Sequence, residues 1–188
     1  PDVAGIVPKD INVDLRVDNL PLKKIMEAIF KTAGTAQGEK EAMAANLPQL
    51  LQTAGTVFNI QNTYIRSPDL DSSLAGTLEA RPGAVSTITG KTTLAIKGLD
   101  EAIGKLQTLA TGPGADPQLM GYASGLTALQ LVGTPTKASD GKTIRTYNFE
   151  FTQDGKILLN GVDFQMLAAS LRGAPASPPP AAPAPVKK

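Results

Sequence analysis

The chain has 188 residues, 18 basic and 17 acidic side chains, no cysteine and no histidine. So balanced a charge excludes a broad electropositive field for nucleic acid or anionic lipid. The missing residue types exclude disulfides, thiolate metal sites, cysteine nucleophiles, most zinc sites and most hydrolase triads. Length fits one domain of roughly 100–200 residues, and no apolar run reaches the about 18 residues of a membrane span. Aromatic residues make up only 4% and tryptophan is absent, so stacking platforms for single strands are poorly supplied. The chain opens at Pro1 with neither an initiator methionine nor a signal sequence, as expected of a mature product or an excised piece.

From Asp10 to Leu20 apolar and polar residues alternate, with Ile11, Val13, Leu15 and Val17 on one side and Asn12, Asp14, Arg16 and Asp18 on the other. This predicts a strand with one wet face. Asp10, Asp14 and Asp18 lie together there, but nothing apolar surrounds them to shift a pKa, so a solvated face is favoured over an acid/base site. Pro21 fits a first helical turn, and Leu22, Ile25, Met26, Ile29 and Phe30 recur at helical spacing, with Gly34 as the stop. A second helix is predicted over residues 39–53, interrupted or restarted near Pro48.

Three extended segments follow, TVFNIQNTYIR, SSLAGTLEA and STITGKTTLAIKG, separated by Ser67-Pro68-Asp69 and Arg81-Pro82-Gly83 turn chemistry. They predict an antiparallel meander. Within the third, GKTT resembles the end of a phosphate-binding loop. The first glycine of that loop would have to be Val85, and the residues after Lys91 are β-formers where a helix should begin. The expectation is a strand and no ATP or GTP binding. Asp69-x-Asp71-x-Ser73 resembles the opening of a calcium loop, but Leu74 and Ala80 occupy the glycine and glutamate positions, so a solvated turn is favoured.

The next segment, LDEAIGKLQTLA, carries a helical stripe at Leu99, Ile103, Leu106 and Ala110, and Asp116-Pro117 caps a further helix through Leu129. After Gly133 a polar connection is expected. TIRTYNFEF and KILLNGVDF form a hairpin around Gln153-Asp154-Gly155, with Tyr147, Phe149 and Phe151 on one face. A short helix at Phe164, Leu167 and Leu171 ends the packed region. Residues 173–188 hold six of the 15 prolines and predict an extended, disordered tail or linker whose removal leaves the fold intact. The domain is thus bounded at residues 1–172.

VDLRVDNLPLKKIMEAI, TTLAIKGLDEAIGKLQTL and KILLNGVDFQMLAASL each pass from strand to short amphipathic helix. The corners are Asn19-Leu20, Gly98-Leu99 and Gly161-Val162, where Gly or Asn eases the bend. No nucleophile elbow of the form Gly-x-Ser-x-Gly occurs, so neither enzymatic activity nor a cofactor is expected.

These elements define an α+β fold: a twisted, mainly antiparallel sheet, a meander plus a C-terminal hairpin, with short amphipathic helices packed on it. The aromatics Phe58, Tyr64, Tyr147, Phe149 and Phe151 lie on strands and read either as ordinary core or, with Ile60, Leu94 and Ile96, as the lining of an apolar groove. Such a groove would hold a lipid or other hydrophobic small molecule.

The order of strand with leucine corner, helical hairpin, Thr- and Gly-rich meander, GLDEAIGKLQTL helix and closing DGKILLNGVDF hairpin resembles an alphaproteobacterial periplasmic family of unknown function, loosely grouped with AsmA and YdgA. The resemblance spans most of residues 10–171. It implies a fragment of a longer, anchored protein, a periplasmic location in the cell envelope, and a part in carrying or sheltering lipid in a half-pipe of β-sheet. It carries over no catalytic residue. Two functions follow: a lipid-binding or lipid-transfer module, adjacent to a membrane without spanning it, or a structural or assembly domain that meets an envelope protein and holds no ligand.

Overall fold

A computed structural model describes residues 5, 7–32, 37–83, 87–112 and 117–171. Residues 173–188, Gly34 and Asp116 lie outside them, and with them the predicted tail, the stop of the first helix and the cap of the fourth. The elements run β1 (Asp10–Asn12), β2 (Leu15–Asp18), α1 (Leu22–Thr32), α2 (Gln37–Ala54), β3 (Val57–Arg66), β4 (Asp71–Glu79) and β5 (Thr89–Lys97). They continue as α3 (Leu99–Thr111), α4 (Pro117–Val132), β6 (Thr134–Lys137), β7 (Thr143–Phe151), β8 (Ile157–Leu159), β9 (Val162–Asp163) and α5 (Phe164–Leu171). Among the described residues nine strands join one sheet, and every pairing is antiparallel. The fold is α+β, as the alternation and helical stripes predict.

Four long strands, β3-β4-β5-β7, form the body. The meander β3 to β5 follows from the two Pro-containing turns, and GKTT lies inside β5, where Lys91 reaches Glu150 at 3.2 Å on the neighbouring strand. At each side two short strands share one rim: β1 and β2 both pair with β3, and β6 and β8 both pair with β7.

The stretch read as one strand over Asp10 to Leu20 is therefore broken. Its partner β3 carries a bulge between Ile60 and Thr63, and the break at Val13-Asp14 lies against that bulge, where the Gln61 N–H donates to the Asp14 carbonyl at 3.0 Å. The extra residue bends one strand, and the short partner splits to follow it.

Three further features differ from the sequence expectation. The polar connection after Gly133 contains β6, whose polar residues suit an exposed rim. Helix α2 passes through Pro48 without a break. The third strand-to-helix corner is a tight turn, Asn160 and Gly161 at φ of 50° and 83°, leading into the two-residue β9 before α5 begins. All three corners do use left-handed backbone, with Asn19 at 56° and Gly98 at 83°. At Gly98 the requirement is absolute, because a Cβ there would lie 2.0 Å from the Asp69 carbonyl oxygen.

The core sits at one end. Ile96, Leu99, Ile103, Tyr147 and Leu159 form its buried cluster, with Leu70, Leu94, Leu126, Val132, Phe149 and Leu167 packed against it. Helices α3, α4 and α5 thus cover the β5-β7-β8 end. Helices α1 and α2 pack on each other, leaving the β1-β2 rim with its apolar side open: Ile11, Val13 and Leu15 are 62%, 74% and 53% exposed.

Candidate functional site: a half-covered apolar sheet face

Residues directly opposite one another in a sheet point to the same side. The register therefore assembles one face from Leu15, Ile60, Gly76, Thr92 and Phe149 in one row, and Val17, Phe58, Leu78, Gly90 and Phe151 in the next. Leu74 pairs with Leu94, and Leu94 with Tyr147. This is the apolar side, shared with the core.

The opposite side is polar and its groups are matched among themselves. Asn59 donates to Asp18 at 2.9 Å and accepts from Thr77 at 3.0 Å, and Thr93 donates to Asn148 at 2.9 Å. An open depression of 440 Å³ lies among Lys91, Thr93, Thr134, Asn148 and Glu150, with Phe149 also in its wall. Its size suits a small ligand, but four of its polar side chains are already paired, Lys91 with Glu150 and Thr93 with Asn148, unlike the apolar lining that holds hydrophobic molecules.

The eight residues predicted to line a groove separate into four groups. Ile96 and Tyr147 are buried in the solid core; the Tyr147 hydroxyl donates to the Leu129 carbonyl at 2.9 Å. Leu94 and Phe149 pack partly buried against that core. Phe58, Ile60 and Phe151 are half-buried on the apolar face, outside the cluster.

Tyr64 lies on the other face, with the Arg66 guanidinium 3.9 Å from its ring centre. Without the bulge, Phe58, Ile60 and Tyr64 would share a face. One inserted residue between Ile60 and Thr63 inverts the alternation beyond it.

The exposed half of the face is therefore formed by Phe58, Ile60, Val17, Leu74 and Leu78, half-buried, and Leu15 at the rim. Val17, Leu74 and Leu78 belong to this face but not to the predicted lining. Their two-residue spacing with Leu15 and Gly76 is the signal that finds them.

What holds the covered half in place is a polar clamp. Arg145 stands in the same row as Ile96, on the apolar side, and donates to Asp100 twice, at 2.8 and 3.2 Å. It also donates to the carbonyls of Gln130 at 2.6 Å and Gly133 at 3.3 Å. Asn160 donates to the Val132 carbonyl at 2.8 Å.

The last turn of α4, where intrahelical donors run out, is thus closed by Tyr147 and Arg145 from β7 and by Asn160 from the turn after β8, and the Leu129 carbonyl also accepts from the Gly133 N–H at 3.1 Å. Asp100 lies in the first turn of α3, where a negative charge is favourable. The Arg145 guanidinium holds its carboxyl below the usual carboxylate range, and Asp100 in turn raises Arg145. Burial pushes the Tyr147 phenol up.

Among the described residues no group of acidic side chains could hold a metal ion, and Asp69 of the calcium-like segment is bound to Lys105 at 2.5 Å. No helix among them is long and apolar enough to cross a membrane. Comparison with known proteins gives no match to a family model, a curated protein or a solved structure.

Proposed function

We propose that this chain is a non-enzymatic cell-envelope domain that binds or carries a lipid or other hydrophobic small molecule on the uncovered half of its apolar sheet face. The observation that supports the reading is the uneven cover. Helices α3 to α5 close one end of the sheet over a buried cluster, while Phe58, Ile60, Leu74 and Leu78 at the other end are only half-buried. Each methylene of a ligand removed from water there contributes about 0.8 kcal/mol, so five or six offset a substantial part of the cost of association. No hydrogen bond or catalytic group is needed.

The periplasmic setting, beside a membrane rather than across it, rests on the resemblance to the AsmA- and YdgA-like family. The same reading excludes nucleotides and nucleic acid as partners. Ile96 and Tyr147, deep in a closed core, favour the second reading at their own end of the sheet: there the domain is structural, and an envelope protein partner would meet the open end instead of a lipid.

Phe58→Asp tests the proposal better than a change at Phe149, which also supports the core. Titration with a fluorescent fatty-acid probe should give saturable binding to the native chain and a loss of at least about tenfold in the variant, the loss of one buried phenyl. Absence of probe binding by the native chain, with no lipid extractable from it, overturns the proposal in favour of the structural domain.

A further inference from the structure

Among the described helices α1 is the most segregated. Leu22, Met26 and Phe30 recur at four-residue spacing and form one ridge, 59%, 39% and 70% exposed. Ile25 and Ala28, on another side of the helix, are its more covered residues, and α2 is the element it packs against. The polar remainder of the helix is basic, with Lys23, Lys24 and Lys31 against a single acid, Glu27. At 3.6 residues per turn Lys23 stands at the margin of the ridge on the side of Phe30, Glu27 comes next, and Lys31 and Lys24 lie on the far side of the helix. Leu20, 41% exposed, extends the apolar surface at the N-terminal end.

A ridge of exposed large side chains on a helix whose polar side is rich in lysine is the composition of a helix that lies in the plane of a membrane interface, its apolar side among acyl chains and its basic side drawn toward anionic headgroups. Charge selects this occupant over a second copy of the chain, since two such helices would bring six lysines together against two acids. We propose that α1 docks this domain on an anionic lipid bilayer through Leu22, Met26 and Phe30. The chain as a whole is nearly neutral, so the attraction is confined to this helix and also orients the domain. The ridge is a different surface from the sheet face, and the docking stands whether or not that face holds a ligand.

The test is co-sedimentation of the full chain with vesicles of phosphatidylcholine containing about 30% phosphatidylglycerol, against pure phosphatidylcholine. The native chain should bind the anionic vesicles and lose affinity in high salt. Phe30→Glu and Leu22→Glu should each weaken binding at least about tenfold, and Lys23→Gln about fivefold. Val13→Glu on the sheet rim should leave binding unchanged.

Because the chain has no tryptophan, Phe30→Trp supplies a single reporter whose emission should shift to the blue on contact with the vesicles. All these side chains are exposed or half-buried, and unchanged circular dichroism verifies that the variants fold. Failure of the native chain to bind, binding by Phe30→Glu equal to native, or an unmoved tryptophan signal each overturns the assignment. A dimer in sedimentation equilibrium that Phe30→Glu dissociates would do the same, giving the ridge to a second copy.

Discussion

Arg145 and Asp100 join three elements through charge-assisted hydrogen bonds, each stronger than a neutral pair. Because Arg145 lowers the Asp100 carboxyl below its ordinary value of 3.8, the stabilisation is present in full above that value and is lost as pH falls through the lower, folded-state one. Asp100→Asn should therefore cost about 1–2 kcal/mol at neutral pH, and make the fall in stability below about pH 4 shallower. Urea unfolding at several pH values measures both. A residual acid limb should remain from Asp140, lowered by Lys97, and from Asp154, lowered by Thr152 and Lys156.

Half of this clamp is legible in the sequence. Counting by two from Tyr147 puts Arg145 on the aromatic side of its strand, where an arginine must find an anchor. Its partner stands 45 residues earlier, and no local pattern names it. The groove residues show the same limit: the period of two identifies apolar neighbours, but only the covering helices decide which of them are core.

Among the elements, strand-to-helix corners were the most readable feature, because only Gly and Asn accept left-handed backbone cheaply. Their surroundings were not readable, and they make the corners unequal. A Cβ on Gly98 collides with the Asp69 carbonyl, whereas one on Gly161 meets nothing within 4 Å. Gly161→Ala should cost about 1–2 kcal/mol, the left-handed penalty alone. Gly98→Ala should cost clearly more, with the β4 turn displaced. Chemical denaturation of the two variants gives the comparison.

The features that escaped the sequence share one cause. Strand β6 is polar because it lies on a rim, the bulge in β3 carries no glycine or proline to announce it, and α2 tolerates Pro48 inside its length. In each case tertiary context outweighs local preference.

For the whole molecule the sequence suffices to predict an α+β fold, a mainly antiparallel sheet with helices packed on it, since alternation and helical stripes both persist over long segments. It does not say that the cover is lopsided, and that asymmetry is where stability and function part. Leu99→Ala, in the buried cluster, should cost about 2–5 kcal/mol. Phe58→Ala, on the half-covered face, should cost about half as much or less despite its larger side chain. Equilibrium unfolding in guanidinium distinguishes the two.

Both rims of the sheet are assembled from fragments of two to four residues, β1 and β2 on one side, β6 and the β8-β9 pair on the other. A long, flat border of unpaired backbone is a template on which further chains add and fibrils grow. Here an incoming strand loses its register at every break, at Val13-Asp14 on one rim and at the Asn160 side chain on the other, and Pro135 in β6 offers it no N–H at all. A protein that leaves Ile11, Val13 and Leu15 open to solvent is thereby protected against self-assembly by the interruptions in its border rather than by charge.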